Sequence, residues 1–344
     1  RVKNAIELQR INQISQIGGF GGKANRLNSF NVFAGDPNLI NTDHQRYKAV
    51  NQEDVVAVAT KYLNERHVRM VVLPEPSLSY STTVLDRTTK PVPSTPSLFR
   101  PPLPQRVVQT NGLNILLVEK KELPIVAFGL VIDAGATQDP VNIPGLANFT
   151  GAMLQEGTSS RTSQQISEEF EFLGSQISIM TNRENTILSA GVLSRHFSNA
   201  LGLVSDIVKN PSFPEGELNR VRTERLTSLK RMSDDATVIA SRVAPALIYG
   251  SESSYGHPVS GTEEAIGKLT REDIRSYYLS NYSPSNATLI VVGDTSLEEV
   301  SKITDEYFGD WHFDGNHVDR VVETVSSNED KQTSIYLIDK PGAA

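Results

Sequence analysis

Through residues 1 to 75 the apolar positions mostly recur every three or four residues and then merge into "VRMVVLP", which predicts helices closing on a strand. That order stops at "PEPSLSYSTTVLDRTTKPVPSTPSLFRPPLPQ". This stretch follows neither period and is rich in Pro, Ser and Thr, so 76–105 reads as an extended linker. Beyond it, "QRVVQTNGLNILLVEKK" reads as strand, turn, strand, because Asn111-Gly112 accepts the positive φ of a tight hairpin. "IVAFGLVIDAGAT" supplies another strand. Leu146, Phe149, Met153 and Leu154 then give one apolar face to a helix that follows Pro144. A second helix is predicted from Thr162, which has capping-box spacing to Gln165, to near Gly174. Two strands, "QISIMTNR" and "NTILSAGVL", precede helices over roughly 195–209 and 214–233. Hairpins with helices between them predict an α+β fold, a mostly antiparallel sheet with helices packed on one face.

One unit occurs twice. "VNQEDVVAVATKYLNERHVRMVVLP" from Val50 aligns without gaps on "LTREDIRSYYLSNYSPSNATLIVVG" from Leu269, an offset of 219 residues. Each copy opens on a cap candidate, Asn51 or Thr270, has an acid at the third helical position and closes on an apolar strand. A duplicated domain is the expectation. The chain starts inside a helical pattern, and "TSIYLIDKPGAA" at its other end reads as a strand without a partner, so both ends read as cut from something longer.

Composition narrows the function classes. A length of 344 residues favours more than one structural unit. No apolar run approaches the roughly 20 residues of a membrane span. Forty acidic against 33 basic side chains, with no long single-sign block, argue against a nucleic-acid surface. The absence of cysteine excludes disulfides, thiolate metal sites and cysteine nucleophiles and leaves the compartment open.

Several segments carry a resemblance. "GGFGGKANRLNSFNVFAGDP", "GLANFTGAMLQEGT" and "SYGHPVSGTEEAIGKLTREDI", with the duplication and the linker, resemble the insulinase and pitrilysin-like zinc metallopeptidases, the inverted zincins. The resemblance implies processing-peptidase-like domains in two halves that close like a clamshell around a peptide. It assigns 1–75 to the end of one domain, 76–105 to the linker, 106–320 to an inactive metallopeptidase-like domain and 321–344 to the first strand of the next. "GLANFTGAMLQEGT" falls where the family carries H-x-x-E-H. Two imidazoles one turn apart on a helix bind zinc, and the glutamate beside them takes a proton from the metal-bound water. Those three positions are Asn148, Gly151 and Ala152 here. Asn binds zinc poorly and Gly and Ala cannot bind it, so the motif reads as degenerate. The family's third ligand, a glutamate, belongs in the helix after Pro214, where Glu224 stands nearest but out of register. Mid-helix Gly151 costs about 1 kcal/mol against Ala, which points to close packing against a neighbouring strand.

Other constellations read blandly. No two of the six histidines form an i, i+4 pair, and His312, Asp314 and His317 in "WHFDGNH" read as a solvated loop, a metal site being the sharper alternative. "GGFGGK" lacks the phosphate-loop pattern and reads as a connection between helices, and no G-x-S-x-G elbow points to a serine hydrolase. The expectation is therefore a chain without catalytic or metal residues of its own, comprising mainly the non-catalytic half of a zinc metalloendopeptidase. Zinc would lie in the catalytic half. The partners implied are that half and peptide substrates, with "VAFGLVIDAG" as a candidate edge strand for peptide binding, no nucleic acid and no membrane span. A non-proteolytic assembly subunit of the same family is the alternative. The resemblance implies a bacterial periplasm, with the cytoplasm left open.

Overall fold

The computed structural model describes residues 1–18, 20–63, 101–312 and 335–338. The strand expected at 68–74, most of the 76–105 linker, Asp314, His317 and most of 321–344 lie outside the described residues. Four helices come first: α1 (Val2–Ser15), α2 (Lys23–Ala34), α3 (Leu39–Ala49) and α4 (Gln52–Tyr62). The hairpin β1 (Gln105–Val108) and β2 (Asn114–Glu119) follows, then β3 (Ile125–Ile132), α5 (Leu146–Leu154) and α6 (Ser163–Phe172). Next are β4 (Ser178–Thr181), β5 (Thr186–Leu193), α7 (Phe197–Lys209), α8 (Glu215–Met232), α9 (Ala236–Tyr249), α10 (Glu263–Lys268), α11 (Arg271–Asn281), β6 (Ala287–Gly293) and α12 (Leu297–Phe308). Contacts divide the chain into two units, one of residues 1–26 with 104–344 and one of residues 27–103. The sequence did not announce that residues 1–26 group with the sheet. In that unit α1 lies against α6: Asn4 donates to the Phe172 carbonyl at 2.6 Å, and Arg195 binds the Glu7 carboxylate through both terminal nitrogens.

Both opening helices of the repeat are capped as their spacing requires. At α4, Asp54 N–H donates to Asn51 Oδ1 at 2.9 Å and Asn51 N–H to Asp54 Oδ2 at 3.0 Å. At α11, Asp273 N–H donates to Thr270 Oγ1 at 3.2 Å and Thr270 N–H to Asp273 Oδ2 at 2.8 Å. Each box satisfies two N–H groups that a helix start otherwise leaves without partners. Thr270→Ala is expected to cost about 1 kcal/mol, read as a lower urea midpoint at unchanged slope.

The sheet runs β1-β2-β6-β3-β5-β4, and among the described strands only β2 and β6 pair in parallel. β3 is therefore central, with Phe128 opposite Ala190 on one side and Val291 on the other. This corrects the expectation that "VAFGLVIDAG" forms an edge. Its backbone groups are committed on both sides, and the edges among the described strands are β1 and β4. One face is the core: Val126, Phe128, Leu130 and Ile132 of β3 alternate inward and are buried with Leu188 and Val192 of β5 and Leu289 and Val291 of β6. Helices α5 and α7 lie against β5 and add Phe149, Met153, Phe197 and Val204 to that core. The intervening side chains take the opposite face, where Ile290 and Val292 are 39% and 37% exposed. The sheet is thus mostly antiparallel, with its helices on one side.

Candidate functional site

The start of helix α5 is held by a close backbone approach and by a buried carboxylate. Gly145 stands at the cap position with φ +94°. A Cβ there would meet the Gly261 Cα at 2.5 Å, so the left-handed backbone and the close approach both demand glycine. No side chain of the helix caps it. The Asp139 carboxylate does so instead, accepting the Gly145 and Ala147 N–H groups at 2.7 Å each. Burial pushes the Asp139 carboxyl up to about 7, against the opposing pull of those backbone donors. Nearby, the Tyr277 hydroxyl donates to the Gly135 carbonyl at 2.9 Å, and burial holds that phenol well above its ordinary range.

The three motif positions sit on α5 as follows. Asn148 is half-buried; its Nδ2 reaches the Thr181 carbonyl at 3.4 Å, and its Oδ1 is sealed from water without a partner. Gly151 is buried, and a Cβ there would lie 2.4 Å from Thr181 Oγ1. Ala152 is half-buried and packs against the core. A short relay holds Thr181 in place: its hydroxyl is 2.9 Å from that of Thr186, which donates to the Ala134 carbonyl at 2.7 Å. Strand β4 thus approaches the helix at the glycine, as the sequence reading of Gly151 proposed.

A zinc ion does not fit this arrangement. Gly151 and Ala152 have no side-chain donor atoms, and the space beyond Gly151 is filled by the Thr181 hydroxyl, held by Thr186, which is itself tied to the Ala134 carbonyl. Glu224 offers no third ligand; its side chain is 63% exposed and binds Arg220, which also holds Glu217 and Glu156. Burial raises the Glu156 carboxyl, with Arg220 opposing. His312 is exposed, and among the described residues no three His, Cys, Asp or Glu side chains gather to hold a metal. The sequence reading missed Asp139 and the Thr181–Thr186 relay. Asp139 precedes its helix by one short loop, too far for any capping-box pattern.

Two family models and several relatives match the chain. A family model described as Insulinase (Peptidase family M16) matches residues 114–251, and one described as Peptidase M16 inactive domain matches residues 268–343. The chain is 28% identical over 211 residues to the zinc protease YmxG of Bacillus subtilis, covering 61% of this chain and 51% of that protein. It is 29% identical over 192 residues to a probable mitochondrial-processing peptidase subunit beta of Arabidopsis thaliana, covering 55% of this chain and 36% of that one. The solved peptidase M16 inactive domain of Pseudomonas fluorescens superposes with a TM-score of 0.59 at 26% identity, covering 62% of this chain and 52% of that one. The periplasmic protease PqqL of Escherichia coli, at 20% identity and a TM-score of 0.61, shares the fold, covering 68% of this chain and 26% of that one. The chain spans about half the length of the bacterial zinc proteases it matches, 51% and 48% of two of them. Matched along its sheet unit by two models of one family and sharing a fold with that family's solved inactive domain, the chain belongs to the insulinase family of zinc metallopeptidases, family M16.

Proposed function

We propose that this chain supplies mainly the non-catalytic half of an M16 zinc metalloendopeptidase, walling the chamber and holding peptide while zinc chemistry belongs to the other half. The observation that carries this reading is the seating of Thr181 Oγ1 where a side chain at Gly151 would have to be. A helix that has given its catalytic face to packing still positions the strand beside it. Among the described residues β4 pairs only with β5, which leaves an edge for an extended peptide everywhere but at the Thr181 carbonyl, which accepts from Asn148 Nδ2, and it lies against α5. Main-chain hydrogen bonding of that kind gives affinity with little sequence preference, as a chamber wall requires. A periplasmic setting is part of the proposal, by analogy with PqqL.

The test combines zinc content after dialysis against a small zinc excess, cleavage of a quenched fluorescent peptide, and binding of a labelled uncleavable peptide. Zinc far below one per chain, no cleavage and saturable binding are expected. Stoichiometric zinc that disappears in Asn148→Ala would make the chain a metalloprotein in its own right. Low zinc without peptide binding would leave the assembly-subunit reading instead.

A further inference from the structure

Helix α8 turns a stripe of side chains inward. Leu218, Val221 and Leu229 are buried, and Arg225 falls in the same stripe at 3-4-4 spacing. Arg225 is half-buried, and among the described residues it has no hydrogen bond, ion pair or ring contact. Its neighbours differ: Arg220 holds three carboxylates, and Arg222 donates to the Leu269 carbonyl at 2.6 Å. On the elements packed against α8 the acids are committed or in water. Glu156, just after α5, binds Arg220; Glu264 of α10 binds Lys268; Glu263 is exposed. Burial alone lowers the Arg225 pKa, with no counter-charge to oppose it.

A guanidinium drawn partly out of water without an anion costs stability, and a cation on a core-facing stripe costs more than one on the outer face. The nitrogens are nevertheless not sealed, for none is among the polar atoms buried without a partner. Among the described residues the group is thus desolvated, unpaired and open on one side, on the helix that packs against α5. A sequence reader could have noticed it as the one charge in an apolar stripe.

We propose that Arg225 is an anion anchor that receives a peptide carboxylate, either the C-terminus or an Asp or Glu side chain. Its planar fork matches a carboxylate through two parallel N–H···O bonds, and partial desolvation strengthens both. The proposal rests on the peptide-binding reading and adds what that reading lacks, a preference among peptides.

The test uses the full chain and three labelled peptides of one neutral sequence: a free C-terminal acid, its C-terminal amide, and the amide with one internal Glu. At low salt the free acid, the internal-Glu peptide or both should bind about tenfold tighter than the plain amide, and which does so identifies the source of the carboxylate. Arg225→Met keeps the stem and removes the charge. It should bind all three peptides alike and melt no lower than the parent chain; Arg225→Lys should retain part of the preference. Equal binding of all three by the parent chain overturns the anchor while leaving the peptide reading standing, and no binding of any overturns both. A preference that survives Arg225→Met, or a markedly lower melting temperature in that variant, assigns Arg225 to packing and overturns the anchor.

Discussion

A variant carrying Asn148→His, Gly151→Glu and Ala152→His is expected to bind no zinc and to lose about 3 kcal/mol or more of stability. The three substitutions write H-x-x-E-H into α5 without making room for it. The Cβ of any side chain introduced at Gly151 would fall 2.4 Å from Thr181 Oγ1. That hydroxyl cannot step aside without breaking its bond to Thr186, which is itself tied to the Ala134 carbonyl. Overpacking of this kind moves strand or helix, and the strand here is the edge strand β4. Adding Thr181→Ala should recover part of the lost stability by removing the close atom. Zinc content by elemental analysis and urea denaturation check both statements. Stoichiometric zinc in the triple variant would mean that the helix face is open and that Thr181 does not fill it.

The second large effect is a pH dependence. Asp139 has its pKa raised from an ordinary 3.8 to about 7 by burial. Between these values the folded chain holds a proton that the unfolded chain has released, so the folded state binds more protons and stability falls as pH rises. The contribution is complete below about pH 4, declines through pH 7 and is constant above, amounting to up to about 4 kcal/mol. Asp139→Asn removes the titration while leaving one oxygen to accept from the α5 N-terminus. Melting temperatures of both chains from pH 4 to pH 8 isolate the effect: their difference should grow steadily more unfavourable to the parent chain as pH rises. A difference that stays flat across the range would show that the Gly145 and Ala147 donors hold the carboxylate ionised in the folded state.

Much of the fold was legible because local signals and burial coincide. Thr162 caps α6 through Gln165, and Asn51 and Thr270 cap the two copies of the repeated helix, each from a pattern four residues long. The hairpin around Asn111-Gly112 follows from one dipeptide, and Gly112 has φ +94°. Position in the sheet was not legible in the same way. β3 alternates inward like any half-buried strand, and nothing within its eight residues says that β6, more than 150 residues later, will lie beside it. α9 was also missed; Pro245 interrupts its pattern, and none of its residues is buried enough to mark a face. At the site, the residue types on α5 could be read directly, and the expectation that Asn148, Gly151 and Ala152 stand where zinc ligands would be rests on the resemblance. What packs against the helix could not be read in this way, because Thr181 and Asp139 reach α5 through tertiary contacts that no spacing rule encodes.

The order of the strands also sets a schedule for folding. β6 lies between β2 and β3, yet it is made last of the six. Until the ribosome has released residues 287–293, β2 and β3 each present an unpaired edge with an apolar face, a template for pairing with another chain. Closure then joins Asn114 to Thr288 across a long loop whose entropy must be lost before the contact returns anything, so folding should be slow for a domain of this size. Truncation just before residue 287 would remove the strand that separates those edges, and the shortened chain should collect as aggregate while chains ending after α12 stay in solution.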